Sequence, residues 1–177
     1  MLEKRNINNL LIPISLLLIM SFSRLIPHPP NFTPIIAVGI LGGYFFKNLN
    51  WSLGIVFLSI FLTDLLLGFY PSMLMIYLSL AIIILSFHKL NNLMNFKNLF
   101  LYGLSGSVIF FKVSNFGVWM FDGLYEKNLE GLIKCYIMAI PFFKNTLFST
   151  IIFSYSFLFV NNLSKKIFSA WFCRKIW

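Results

Sequence analysis

The stretch Arg24-Leu25-Ile26-Pro27-His28-Pro29-Pro30-Asn31-Phe32-Thr33-Pro34 places four prolines, a histidine, an arginine and an asparagine between two apolar segments. Proline lacks an amide donor and pushes the residue before it out of the helical region, so residues 25–33 cannot form one continuous helix. Irregular backbone at the edge of a bilayer is tolerated where protein covers it or where it lines a wet cavity. The segment therefore reads either as the rim of a pocket or as a stiff hairpin between two spanning helices.

The bilayer is implied by the composition on either side. A soluble domain of 177 residues could not bury the apolar surface of a chain that is 59% hydrophobic and 11% charged, with a mean hydropathy of +0.84. The fold class expected is all-α, a polytopic membrane helix bundle. The net charge of +9 is not a nucleic-acid footprint, because the basic residues gather on connectors of one parity. The 22 phenylalanines reflect a bias spread over the whole chain, so a single Phe carries little weight.

Six apolar spans are expected, over 10–25, 32–46, 51–70, 71–87, 100–115 and 142–160. The basic start at Lys4 and Arg5 leads into an apolar run without a small-x-small cleavage site, so the first span is expected to stay uncleaved. The second span is about 22 Å long at 1.5 Å per residue, short for a core of roughly 30 Å, and is expected to start beneath the proline-rich segment. Its Gly39-x-x-x-Gly43 pair offers a strip for close packing, inside the bundle or on a partner. Residues 115–144 read as the one long loop, with a turn at Asp122-Gly123 and then an outer amphipathic, half-buried helix over 127–140, halted by Pro141. One membrane domain is expected over 1–161. In 162–177, Lys165, Lys166, Arg174 and Lys175 alternate with Ile167, Phe168, Trp171, Phe172 and Trp177, as in an amphipathic cytoplasmic tail on an anionic leaflet.

With six spans, one side of the membrane holds Lys4, Arg5, Lys47, Lys89, Lys97, Lys165, Lys166, Arg174 and Lys175 against Glu3 alone. The positive-inside rule then puts both termini in the cytoplasm, with the chain in the cytoplasmic (inner) membrane. Arg24, Asp64 and Lys112 are the ionisable residues inside expected spans, where charge is costly enough to mark a site. All three fall in the outer third of the bilayer, as do Asn31, Asn115, Trp119 and Asn145. Asp64 is too short to reach the headgroups, whereas Arg24 and Lys112 have stems long enough to snorkel.

Catalytic and metal chemistry find little support. Gly103-Leu104-Ser105-Gly106 matches the Gly-x-Ser-Gly element of rhomboid proteases, but His28 and His88 both precede Ser105, which lies in the opposite half of the membrane. Close helix packing explains the motif better. His28, His88, Cys135 and Cys173 have no metal-ligand spacing, and nothing resembles a phosphate-binding loop, so no enzyme, metal or cofactor is expected. Cys135 and Cys173 fall on opposite sides of the bilayer, which argues against a disulfide between them.

Arg24-x-x-Pro27, Asn31-Phe32-x-Pro34, Ala37 with Gly39, Thr63-Asp64 with Gly68, Asn115-Phe116-x-x-Trp119, and Tyr136 followed by Ala139-Ile140-Pro141-Phe142-Phe143 recur in this order in a known family. The chain resembles, over about residues 20–155, small bacterial integral-membrane proteins catalogued as a domain of unknown function; that resemblance implies no reaction. In size, six spans and a structured first outer loop it is also similar to the substrate-binding S-components of energy-coupling-factor vitamin transporters. That likeness implies an outward-facing pocket and a coupling membrane subunit with ATPases. The short alanine motif by which S-components dock is absent from the first span.

The function expected is binding of a small polar or anionic solute for uptake. Arg24 and Lys112 would meet negative groups, Asp64 would orient one of them, Asn31 and Asn115 would set polar specificity, and Trp119 would stack on a flat moiety. The alternative is a non-transporting scaffold or assembly factor, with the Gly39 strip and the outer helix holding a partner membrane protein.

Overall fold

The computed structural model describes the backbone of residues 2–46, 48–88 and 96–174, and the side chains of residues 11, 13–46, 48–88 and 97–164. The expected basic and aromatic anchor over 165–177, Cys173, and the basic residues at Lys4, Arg5, Lys47 and Lys89 therefore lie outside the described side chains. Among the described residues the chain is all-helical: α1 (Leu2–Phe22), a 3-10 turn (Ser23–Leu25), α2 (Ile35–Phe45), α3 (Leu49–Leu67), α4 (Met73–His88), α5 (Phe96–Phe121) and α6 (Leu129–Arg174). Three of these are long and apolar enough to cross a membrane, over Leu49–Leu67, Lys97–Phe121 and Leu129–Ser164. The segments Pro13–Leu25, Ile35–Phe45 and Met73–His88 are shorter apolar helices.

The proline-rich stretch ends the first helix as its sequence requires. Ile26, which precedes Pro27, is extended (φ −80°, ψ 136°), and the chain returns to helix only at Ile35. The helix that begins there, α2, is the centre of the molecule. Its 11 residues rise about 16 Å, half a bilayer core, yet Ile35 to Gly43 are all buried. A helix apolar all the way round belongs in the interior, and α2 packs against all five other helices, so it needs no lipid-facing length. Its glycine strip is used inside the bundle. A Cβ on Gly39 would lie 3.3 Å from Leu80 and Ile83, and one on Gly43 would lie 2.9 Å from the Ile84 carbonyl oxygen.

The second half departs from expectation. No long loop spans 115–144: α5 runs to Phe121, the connection is 122–128, and α6 continues through Pro141 to Arg174. Pro141 removes one amide donor and leaves the Ile137 carbonyl without its helical partner, which would end many helices in water. Pro141 is exposed on α6, and long apolar helices absorb such a break by local adjustment of the backbone. The outer helix expected over 127–140 is thus the first part of α6. It is half-buried, with Gly131, Cys135 and Ala139 inward at four-residue spacing and Ile133, Ile137 and Met138 outward. The Asp122-Gly123 turn stands, with Gly123 at φ 69°. Ser72, in the connection between α3 and α4, donates to Asp122 Oδ2 at 3.1 Å and ties that connection to the turn.

Candidate functional site

Two polar features occupy the end of the bundle beneath the proline-rich stretch: a closed ion pair and a small cavity. The pair forms because the first helix is forced to stop at the 3-10 turn, which carries Arg24 inward against the last turn of α3. Arg24 Nη2 lies 2.8 Å from Asp64 Oδ1, with side-chain exposures of 7% and 0%. Arg24 Nη1 donates to Thr63 Oγ1 at 2.6 Å, and Thr63 in turn donates to the Ile60 carbonyl. From α4, the Tyr77 hydroxyl donates to Asp64 Oδ2 at 2.9 Å. The Nη2 to Oδ1 approach is close but off the hydrogen-bond direction, and Arg24 Nε is buried without a partner. A buried pair of this kind is stabilised by mutual charge and by the Thr63 and Tyr77 bonds, against a desolvation cost of several kcal/mol per ion. α3 stops just beyond the pair at Gly68, whose φ of 94° suits glycine and whose amide donates to the Asp64 carbonyl.

The cavity lies among the rim, α4, α5 and α6 and has a volume of about 110 Å³. Its polar wall is Asn31, Ser114, Asn115 and Thr146; its apolar wall is formed chiefly by Phe110, Phe111 and Phe143, with Ile76, Val118 and Ala139. Asn31 sits at the exposed rim in the left-handed conformation (φ 59°), which asparagine tolerates better than most residues. The rim is held over the bundle by Asn145, whose Nδ2 donates to the Pro30 carbonyl at 2.9 Å, and by the Phe32 ring, 6.0 Å from that of Phe153.

Of the six residues picked from the sequence, only Asn31 and Asn115 line the cavity. Arg24 and Asp64 do come together, but they face each other rather than the void. Arg24 does not snorkel; it is 8% exposed. Lys112 is exposed and joins neither feature, because the helix turns it away from the face that carries Phe110, Phe111, Ser114 and Val118. Trp119 closes the end of α5: its Nε1 donates to the Glu126 carbonyl at 2.9 Å, and Lys127 Nζ lies 5.7 Å from its ring centre while donating to the carbonyls of Trp119 and Met120.

Sequence reasoning missed Tyr77, Ser114 and Thr146. A phenol in an apolar segment usually finds a hydrogen-bond partner when buried, which was an available signal for Tyr77. His28 contacts the carbonyl of its neighbour Pro29, and Ser105 donates to the Leu101 carbonyl at 2.8 Å. Cys135 is a buried free thiol, 3.4 Å from the Asn115 carbonyl. Among the described residues no three His, Cys, Asp or Glu side chains gather where they could hold a metal ion.

No curated protein and no solved structure matches this chain. A family of unknown function (DUF6580) matches residues 4–171, which extends the motif resemblance into both flanks. The chain belongs to that family.

Proposed function

We propose that the protein is a six-span protein of the cytoplasmic membrane, both termini in the cytoplasm, that binds a small polar solute in the cavity beneath its proline-rich rim. The observation that carries this reading is the meeting of Asn31 from the rim and Asn115 from α5 on one partly enclosed void. Orientation rests on the basic residues, nine of the 14 falling on the side of the termini. That orientation puts the rim outside.

The volume constrains the solute. Pockets for drug-sized ligands run from roughly 300 to 1,000 Å³, and a dry cavity of about 150 Å³ holds a benzene molecule. A void of about 110 Å³ therefore suits a solute of about six non-hydrogen atoms or fewer. A vitamin-sized ligand, which the likeness to S-components implies, needs a wider pocket than this conformation offers. The scaffold reading loses support because the Gly39 and Gly43 strip faces α4 rather than a partner.

Two measurements test the proposal. Native mass spectrometry of the gently purified full chain is expected to reveal a small adduct that disappears in Asn115→Leu. In intact cells, Asn31→Cys is expected to react with a membrane-impermeant maleimide; protection until the cells are lysed would overturn the outward orientation. A coupling subunit with ATPases, if uptake is driven that way, should co-purify with the chain.

A further inference from the structure

We propose that the cavity selects a small neutral carboxamide; this rests on the solute-binding reading above and adds the chemical class of the ligand. Each polar side chain in the wall has a fixed number of donors and acceptors, and its bonds within the bundle use up some of them. Ser114 Oγ donates to the Phe110 carbonyl at 2.7 Å, and Thr146 Oγ1 donates to the Phe142 carbonyl at 3.1 Å. A hydroxyl has one proton, so both groups meet the cavity as acceptors. Asn115 Nδ2 donates to the Phe111 carbonyl at 2.8 Å, which fixes the amide orientation and leaves Oδ1 as a third acceptor, with one N–H still free. Asn31 makes no side-chain hydrogen bond among the described residues and brings both an amide donor and an acceptor. The wall therefore combines three fixed acceptors with the N–H groups of Asn31 and Asn115, and favours a ligand that carries both N–H donors and a carbonyl acceptor.

Charge narrows the class further. No ionisable side chain lines the cavity, and the charged pair nearby is already closed on itself. An ion entering would lose water without meeting a counterion. A carboxylate has the additional fault of carrying no donor for the Ser114, Thr146 and Asn115 acceptors. A primary ammonium has donors in the right number but no acceptor for Asn31 and no compensating negative charge. A carboxamide is neutral, flat enough to lie against Phe111 and Phe143, and small enough for the volume.

The test uses the full chain in detergent micelles with three probes of nearly equal size: acetamide, acetate and methylammonium. Saturation-transfer NMR is expected to give saturable binding of acetamide, roughly tenfold or more tighter than either ion, the lower bound for an unmatched buried polar group. Thr146→Val keeps the side-chain shape and removes one acceptor, and Asn115→Leu removes another; each should weaken acetamide by a similar factor. Should either variant fail to fold, the acetamide and acetate comparison on the unaltered chain still decides the matter. Acetate or methylammonium binding as well as acetamide, with that binding lost in Asn115→Leu, would overturn the ligand class and leave the cavity reading standing. Absence of saturable transfer from all three probes would overturn both.

Discussion

The Tyr77 hydroxyl donates to Asp64 Oδ2 at 2.9 Å, so the charge pair that joins the turn after α1 to α3 also holds α4. Three segments that share few other polar contacts are thereby pinned at one depth. α2 packs between them, which fixes where the rim leaves the bundle and where it returns. The pair sits where the rim begins and does not line the cavity.

Breaking the pair from one side should be costly. Asp64→Leu leaves Arg24 buried without a counter-charge and is expected to lower stability by about 3–5 kcal/mol, whereas Arg24→Met with Asp64→Leu should recover most of the loss. Tyr77→Phe removes one hydrogen bond to a charged acceptor, about 1.5–3 kcal/mol. Unfolding in mixed detergent micelles measures all three. A double variant as unstable as Asp64→Leu would contradict the account.

Two glycines make opposite predictions. A Cβ on Gly43 would press within 2.9 Å of the Ile84 carbonyl oxygen, a backbone atom that cannot swing aside, so Gly43→Ala should cost about 1–3 kcal/mol by pushing α2 off α4. Gly54, inside α3, has nothing within 4 Å of the same position. Gly54→Ala should therefore stabilise by up to about 1 kcal/mol through helix propensity. The same unfolding experiment gives both signs.

What could be read before folding was position along each helix, and what could not be read was direction around it. Counting residues placed Arg24, Asp64 and Lys112 at one level, and two of them do pair. Lys112 follows Phe111 by about 100° of helical turn, enough to carry it off the cavity face. Asn31, Asn115 and Asn145 were legible because each is a polar residue in the proline-rich stretch or at the end of an apolar span. Ser114 and Thr146 were not, since a hydroxyl bonded to its own helix looks the same in sequence whether it faces a void, a neighbour or lipid. The Phe wall was hidden by the chain's general excess of phenylalanine. Pro141 misled because a rule learned from helices in water was applied to a long apolar helix, which continues through it.

The rim hangs on few contacts. Asn145→Leu removes the bond to the Pro30 carbonyl while keeping the volume of the side chain. Amide exchange at Phe32, whose N–H donates to the Pro29 carbonyl, should quicken in this variant with exchange in α3 unchanged, because the ion pair holds α3 independently of α6. Equal quickening in both regions would mean that the rim and the bundle open together.

Lys112 and Asn115 separate the charge-based expectation from the cavity. Both are on α5 within one turn, and both were expected to touch a solute. The Lys112 side chain is exposed, and its backbone carbonyl accepts from the Tyr136 hydroxyl at 2.6 Å, a bond that any side chain at that position preserves. Asn115 lines the void and has an acceptor to spare. Lys112→Ala should leave binding of a small solute within about twofold of the unaltered chain, while Asn115→Leu should weaken it by roughly tenfold or more, the cost of one unmade buried hydrogen bond. Titration of the two variants side by side reads the difference directly. A loss at Lys112 with none at Asn115 would return the site to the membrane charges and take it away from the cavity.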